Sequence, residues 1–365
     1  MRIGLIAPPW IPVPPPGYGG TEAVIDNLAR GLTELGHEVS LFTVGSSTSP
    51  VRRCHLFEDP AQPLGQTVPE VAHVLAAYEE LQNVDIIHDH TILGPLLATR
   101  SRMTGPPVVT TNHGPFTPLT LPIFREIART TRVVAISQDQ ASRALDVPIT
   151  AVIHHGIDLD TYRVGPGDDE HLVFVGRMSP DKGVAQAVRI AHAAGRPLHI
   201  VSKMRDPEEH AYFETCVRPL LSNQHEKVNE LALEERVALV GRSAGLLNPI
   251  AWPEPFGLVM AEALATGTPV IANAEGAAPE IVTHGRTGFL CSSEPDATEA
   301  VARLPEIDRA ACRADAQRRF SLQRMAADHE RLYESILASR RLPWQRDAVR
   351  TIGAGVNPAR ARVAQ

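Results

Sequence analysis

The chain has 365 residues, 43% of them hydrophobic and 21% charged, which suits two α/β domains and excludes wholesale disorder. Its net charge of −7, from 35 Lys and Arg against 42 Asp and Glu, gives no whole-chain support for binding nucleic acid. Cys54, Cys216, Cys291 and Cys312 are scattered with no CxxC pair, which argues against a zinc site and for reduced thiols in a cytoplasmic protein.

The opening "MRIGLIAPPW" lacks the long apolar stretch and cleavage site of a signal peptide and reads as a first strand. No run of about 18 apolar residues occurs, so no transmembrane helix is expected, while peripheral membrane contact stays open. Strands of a buried parallel sheet are predicted over 2–7, 38–43, 85–88, 107–111 and 132–137. Between the first two, Val24, Ile25, Leu28, Leu32 and Leu35 fall on one helical face and Gly36 fits a C-terminal cap, so this is a βαβ unit. The Gly- and Asp-rich stretch at about 155–170 reads as a boundary. A second series of strands follows over 171–176, 197–202, 236–241 and 269–272, with a helix over 220–235 and a last one over 324–341. The expected division is a first Rossmann-like domain over 1–160, a second over 161–342, and a tail over 343–365 that is disordered at its end. In such doubly wound sheets ligands sit at the carboxyl ends of the strands, so a cleft between the domains is the expected site.

Four constellations face that cleft. In "PGYGGTEAV" (16–24), Gly19 and Gly20 precede a helix and permit close backbone approach to a phosphate or sugar, although the run is not a GxGxxG fingerprint. In "TTNHGPF" (110–116), His113 ends a strand, where it either faces the cleft or serves only as a turn residue. The histidines of "IIHDH" and "VIHHG" come from separate strand ends without an acidic ligand motif, which argues against a metal cluster. In "FVGRMSPDKG" (174–183), Arg177 and Lys182 follow a strand and are either a diphosphate clamp or two exposed surface cations.

The fourth is "WPEPFGLVMAEALATGTPVIA" (252–272). It predicts a helix closed by Gly267 and stopped by Pro269, with its free N–H groups near Gly257 and Leu258 forming an anion site. Glu254 lies just before that terminus. Glu262 lies inside the helix, where a carboxylate can accept two hydrogen bonds from a diol. Two ordinary glutamates on a solvated helix are the bland alternative, and the flanking Pro-Phe-Gly and Gly-Thr-Pro breaks weigh against it.

Together these residues resemble the retaining glycosyltransferases of family 4, with the GT-B fold of two Rossmann-like domains around a cleft. The resemblance runs from Met1 to about residue 340 and is most specific at the E-x7-E pattern from Glu254 to Glu262. "YGGTE", "NHGP", "HGID", "VGRMSPDKG" and "GAAPEIV…GRTGFL" match further landmarks in order, and the proline-rich start looks like a branch that decorates antibiotics with sugars. It implies a nucleotide diphosphate sugar as donor, no cofactor and no metal, and an acceptor that is a sugar, a lipid-linked molecule or a natural product. Arg177 and Lys182 would then hold the diphosphate, with Lys203 in the same donor-binding set. Glu262 would take the ribose hydroxyls, and Glu254 would contact the donor sugar with Phe256, Gly257 and Leu258 closing around it. Gly19 and Gly20 would approach the phosphate from the first domain, and His113 would sit over the sugar. Loops 8–20, 44–70 and 113–124 would shape the acceptor site, with Phe116, Leu119 and Phe124 as an apolar wall.

One departure from the family is expected. If 236–241 is a strand, about eight residues separate it from the E-x7-E segment, fewer than a βαβ crossover needs. A helix that borders the nucleotide base would then be missing. That motivates a second reading, a sugar-nucleotide-binding protein without activity; a sugar-nucleotide epimerase is a third.

Overall fold

The computed structural model describes residues 1–17, 19–100, 105–222 and 226–340. Among them, the first sheet contains β1 (Arg2–Ile6), β2 (Glu38–Thr43), β3 (Arg52–His55), β4 (Ile86–Asp89), β5 (Val108–Thr111), β6 (Arg132–Ala135) and β7 (Ile149–Val152). All pairings are parallel, in the order β3-β2-β1-β4-β5-β6-β7. Its helices are α1 (Gly20–Glu34), α2 (Thr67–Glu80), α3 (Leu93–Arg100), α4 (Leu121–Ile127) and α5 (Gln138–Ser142). Ile3, Leu5 and Ile6 of β1 are wholly buried, as a parallel strand covered on both faces requires. The apolar face of α1 buries Val24, Ile25, Leu28 and Leu32, and Gly36 follows with φ 85°.

The second sheet contains β8 (Leu172–Val175), β9 (Leu198–Val201), β10 (Glu226–Asn229), β11 (Gly245–Asn248), β12 (Val270–Asn273) and β13 (Gly288–Cys291). Their order is β10-β9-β8-β11-β12-β13, again parallel. Its chain segment also carries α6 (Val184–Ala193), α7 (Pro207–Tyr212), α8 (Leu233–Arg242), α9 (Leu258–Ala265), α10 (Ala278–Ile281), α11 (Glu294–Ala302), α12 (Arg309–Phe320) and α13 (Leu322–Arg340). The strand order reverses between β1 and β4 in one sheet and between β8 and β11 in the other, so each domain has a crevice at its carboxyl edge. The last helix crosses back: Met325, Ala326, Leu332, Tyr333 and Ile336 of α13 join the core beneath α1 rather than the second sheet.

The second domain corrects the sequence reading at one point with functional weight. Residues 236–241 form no strand; they lie within α8, and the strand that follows is the "GLLN" of β11. Glu234 and Glu235 occupy the first turn of α8 and Arg242 the last, the polarity a helix dipole favours. The Glu235 carboxylate accepts the Ala232 N–H at 3.2 Å, and the linker covers the other end, with Gly167 N–H donating to the Gly241 carbonyl at 3.1 Å and Asp169 N–H to that of Arg242 at 3.1 Å. The helix predicted over 220–235 is replaced by strand β10 and the start of α8, while 223–225 lie outside the described residues. The crossover from β10 to β11 therefore has its helix, and the motive for an inactive binding protein is removed. Strands β3, β7, β10 and β13 were not predicted either; all are edge strands of four residues. The tail predicted over 343–365 lies outside the described residues.

Candidate active site

The amino end of α1 and the amino end of α9 meet across the interdomain cleft. A Cβ built on Gly20 would lie 3.3 Å from Leu258 Cδ1, and Leu258 packs against the cores of both domains. Gly19 precedes α1 as its N-cap, and Gly257, with φ 93°, precedes α9. That left-handed backbone is what a glycine supplies without strain, and it turns the chain from the Pro-Phe-Gly segment into the helix. Two helix amino ends thus converge on one region, the first met in part by the Glu22 carboxylate on its own N–H, and their polarity favours an anion there.

Lys182 reaches the same place from the second domain. It closes a short helical turn, Pro180–Lys182, and Gly183 follows with φ 76°, its Cα so close to the chain before the motif that a Cβ would fall 2.0 Å from the Pro249 carbonyl oxygen. The Lys182 ammonium forms an ion pair with Glu254 Oε2. The same oxygen accepts the Trp252 indole N–H at 3.0 Å, and the ammonium stands 5.4 Å from the indole ring centre. Lys182 and Glu254 keep 15% and 17% of their side chains exposed, so the pair is shielded from bulk solvent but reachable by a ligand. Arg177 is held by Asp181 at 3.3 Å rather than by the Lys182–Glu254 pair. Lys203 follows β9, half-buried, and burial together with Arg205 lowers its ammonium from the ordinary lysine value.

Glu262, one turn into α9, receives the Tyr162 hydroxyl on Oε1 at 2.7 Å, and the Arg236 guanidinium lies 3.9 Å from Oε2. Phe256 is buried and anchors the loop before α9: its ring meets His155 edge-on at 5.1 Å and Phe320 at 5.9 Å.

His113 belongs to a row of imidazoles that runs from the first core toward this loop. His88 Nδ1 lies 2.6 Å from the Tyr333 hydroxyl and its Nε2 2.9 Å from that of Thr111. Its ring stacks on His90 at 4.1 Å, His90 Nδ1 faces His113 Nε2 at 2.9 Å, and His113 stacks on His155 at 5.2 Å. His329 of α13 stands 5.2 Å from His88. Burial lowers them all: His113 and His329 to about 4, and His88, His90 and His155 well below the usual imidazole range. His113 is therefore a neutral hydrogen-bonding group at neutral pH rather than a cation. Among the described residues no group of three or more His, Cys, Asp and Glu is placed to hold a metal ion.

The domains are also latched directly. Glu280 of α10 accepts the N–H groups of Gln138 and Asp139 at 2.8 and 2.7 Å and meets His154 Nε2 at 2.8 Å. Burial alone would raise its carboxyl, but these hydrogen bonds outweigh it and hold it below the ordinary glutamate value.

The apolar wall expected for an acceptor is not assembled. Phe116 and Phe124 pack on each other at 5.2 Å inside a small cluster, and only Leu119, 85% exposed, faces out.

Comparison with known proteins fits this architecture. The family model described as Glycosyltransferase Family 4 matches residues 18–161, and that described as Glycosyl transferases group 1 matches 163–311. The chain belongs to glycosyltransferase family 4. This transferase is 28% identical, over 83% of its length and 76% of the relative's, to the D-inositol 3-phosphate glycosyltransferase of Mycobacterium tuberculosis H37Rv. It superposes on AviGT4, a glycosyltransferase involved in avilamycin A biosynthesis, with a TM-score of 0.70 and 26% identity, covering 92% of this chain and 98% of that one. Its fold is also that of the Anabaena protein HepE in complex with UDP and glucose, with a TM-score of 0.73, 18% identity, and 92% and 100% coverage. The transferase therefore has the GT-B fold and moves a glycosyl group from a nucleotide sugar. No helix among the described residues is long and apolar enough to cross a membrane.

The sequence picks out both ends of the ion pair, Lys182 and Glu254, and the two helix starts at Gly20 and Leu258. It misses Trp252, Tyr162, Arg236, His155 and Glu280. Trp252 stands two residues before Glu254 in the motif itself, and an indole N–H beside a cleft carboxylate was the available signal. Arg236 was hidden by the strand assignment.

Proposed function

We propose that this protein is a retaining, metal-independent transferase that moves a sugar from a nucleotide diphosphate sugar to an acceptor hydroxyl. The convergence of the α1 and α9 amino ends beside Lys182 carries the reading, because a diphosphate leaving group gains negative charge as its bond to the sugar breaks. Helix N–H groups, Lys182 and Arg177 meet that charge, so no metal is assigned to the step. The diphosphate displaces Lys182 from Glu254, which frees the carboxylate for the sugar hydroxyls. Gly19, Gly20, Phe256, Gly257 and Leu258 let the backbone close around the donor, Glu262 takes the ribose hydroxyls, and Lys203 joins the donor-binding set.

The bond between the anomeric carbon and the phosphate oxygen breaks, and the acceptor oxygen bonds to that carbon on the same face. The acceptor proton passes to the departing phosphate oxygen, so atoms and charge balance without an enzyme nucleophile. His113, kept neutral by burial, offers a hydrogen bond to the sugar. The UDP held by HepE supports a nucleotide in the corresponding crevice. The relatives act on an inositol phosphate and in antibiotic assembly, which supports a hydroxyl-bearing small molecule as acceptor. Four free cysteines support a reducing, cytoplasmic setting.

The test starts with thermal unfolding in UDP, GDP, ADP and TDP and their sugar conjugates, since a ligand at 100 times its dissociation constant adds about 2.7 kcal/mol. With the donor so named, NMR of the product reads the anomeric configuration, expected to match the donor's. Excess EDTA is expected to leave the rate unchanged. An inverted product or a rate abolished by EDTA overturns the corresponding part of the reading.

A further inference from the structure

We propose that Tyr162, in the segment joining the two domains, is a positioning residue that fixes Glu262 for recognition of the donor's ribose. The inference rests on the reading above, in which Glu262 takes the ribose diol.

Two groups compete for this carboxylate. The Tyr162 hydroxyl donates to Oε1 at 2.7 Å, while the Arg236 guanidinium stands 3.9 Å from Oε2, at the outer edge of ion-pair range. An Arg–carboxylate pair tends to close into a bidentate contact, which would use both oxygens. The Tyr162 hydroxyl occupies Oε1 and also takes a hydrogen bond from Arg236, which leaves that bidentate contact unmade. A carboxylate has about four acceptor directions, and the hydroxyl takes one, so about three remain, enough for two adjacent ribose hydroxyls. The Glu262 side chain keeps 19% of its surface exposed, so a ligand can reach it.

Tyr162 is itself fixed. Arg313 of α12 donates to the carbonyls of Tyr162 at 2.6 Å, Leu159 at 3.1 Å and Ala265 at 2.8 Å, which ties the linker to the carboxyl end of α9. Burial, and then the Glu262 charge, raise the Tyr162 hydroxyl well above the ordinary phenol value, so it donates at every pH the fold survives. A residue of the interdomain segment thus sets the carboxylate that would read the sugar of the nucleotide.

The test compares UDP, GDP and ADP with their 2′-deoxy forms by calorimetric titration into the full-length wild type, Tyr162→Phe and Glu262→Gln. The wild type is expected to prefer the ribonucleotide by about tenfold, as one hydrogen bond to a charged group allows. In Tyr162→Phe that preference narrows to about twofold, the 2′-deoxy affinity falls by less than the ribonucleotide affinity, and the melting temperature stays within a few degrees. Glu262→Gln also loses the preference. Equal wild-type binding of both forms, or binding of none, overturns the ribose reading and this proposal with it. A preference that survives in Tyr162→Phe, or an equal loss of both affinities there, overturns the proposal and leaves the ribose reading standing.

Discussion

Trp252 donates its indole N–H to Glu254 at 3.0 Å, on the oxygen that already pairs with the Lys182 ammonium. One carboxylate oxygen thus carries a cation and a neutral donor, and the cation is the group proposed to meet the diphosphate. Lys182→Ala is expected to lower donor turnover by about 100-fold or more, the loss seen when one donor to a developing anion is removed. Trp252→Phe keeps the ring and loses one hydrogen bond to a charged acceptor, so kcat/KM should fall about tenfold. Release of nucleoside diphosphate, with water as acceptor if necessary, measures both. Wild-type rates in the two variants would exclude this pair from the reaction.

The buried imidazoles predict an acid limit to stability. A histidine whose folded-state value lies below its unfolded value near 6.5 contributes stability that is complete above 6.5 and lost as pH falls toward the folded value. For His113 and His329 that folded value is about 4, and burial also holds His88, His90 and His155 well below the ordinary imidazole value. At pH 5 His113 and His329 each cost about 2 kcal/mol relative to neutral pH, together a large part of a domain's stability of about 5–15 kcal/mol. Urea midpoints between pH 7.5 and 5 should therefore fall steeply. A midpoint that stays level over that range contradicts the burial of these rings as neutral species.

How much of this was legible in the sequence depends on punctuation. The stretch from Trp252 to Ala272 could be read because Gly257, Gly267 and Pro269 bracket α9 and so locate its amino end. Gly20 and Leu258 could be named, but that they touch is a fact of two domains closing, which no local pattern encodes. The misreading of α8 has a physical cause. "RVALVG" is as short and apolar as a strand, and periodicity does not separate the two for runs of this length. The cues that decide it, Glu234 and Glu235 at one end and the linker amides at the other, lie outside those six residues. Tyr162 was illegible for a related reason: in sequence it is part of a boundary, and only the fold brings its hydroxyl to Glu262, 100 residues away.

The interdomain latch predicts an energetic coupling. Glu280 is held below its ordinary value, so its contribution is fully present at pH 7, above the unfolded carboxylate range, and is lost only in acid. In a double-mutant cycle, Glu280→Gln and His154→Asn should show a coupling of about 1 kcal/mol or more at pH 7, because the two side chains share one hydrogen bond in a half-buried site. Urea unfolding of the four proteins gives the number. Strictly additive losses would mean that His154 and Glu280 act independently and that the amides of Gln138 and Asp139 alone hold the carboxylate.

Gly183 links the fold to the ion pair. Its φ of 76° disfavours any side chain, and a Cβ would also meet the Pro249 carbonyl oxygen at 2.0 Å, so the strand-end loops of β8 and β11 could not remain this close. The backbone conformation alone costs an alanine about 1 kcal/mol, and the clash adds to it. Gly183→Ala should therefore lose about 2 kcal/mol or more of stability in urea unfolding, a size reserved for a small set of mechanisms that includes backbone strain. It should also lower turnover by more than stability explains, because Lys182 is the adjacent residue and must move with the displaced loop. A folded Gly183→Ala protein at saturating donor separates the two effects: a wild-type kcat there would show that the loop moves without carrying Lys182 away from Glu254.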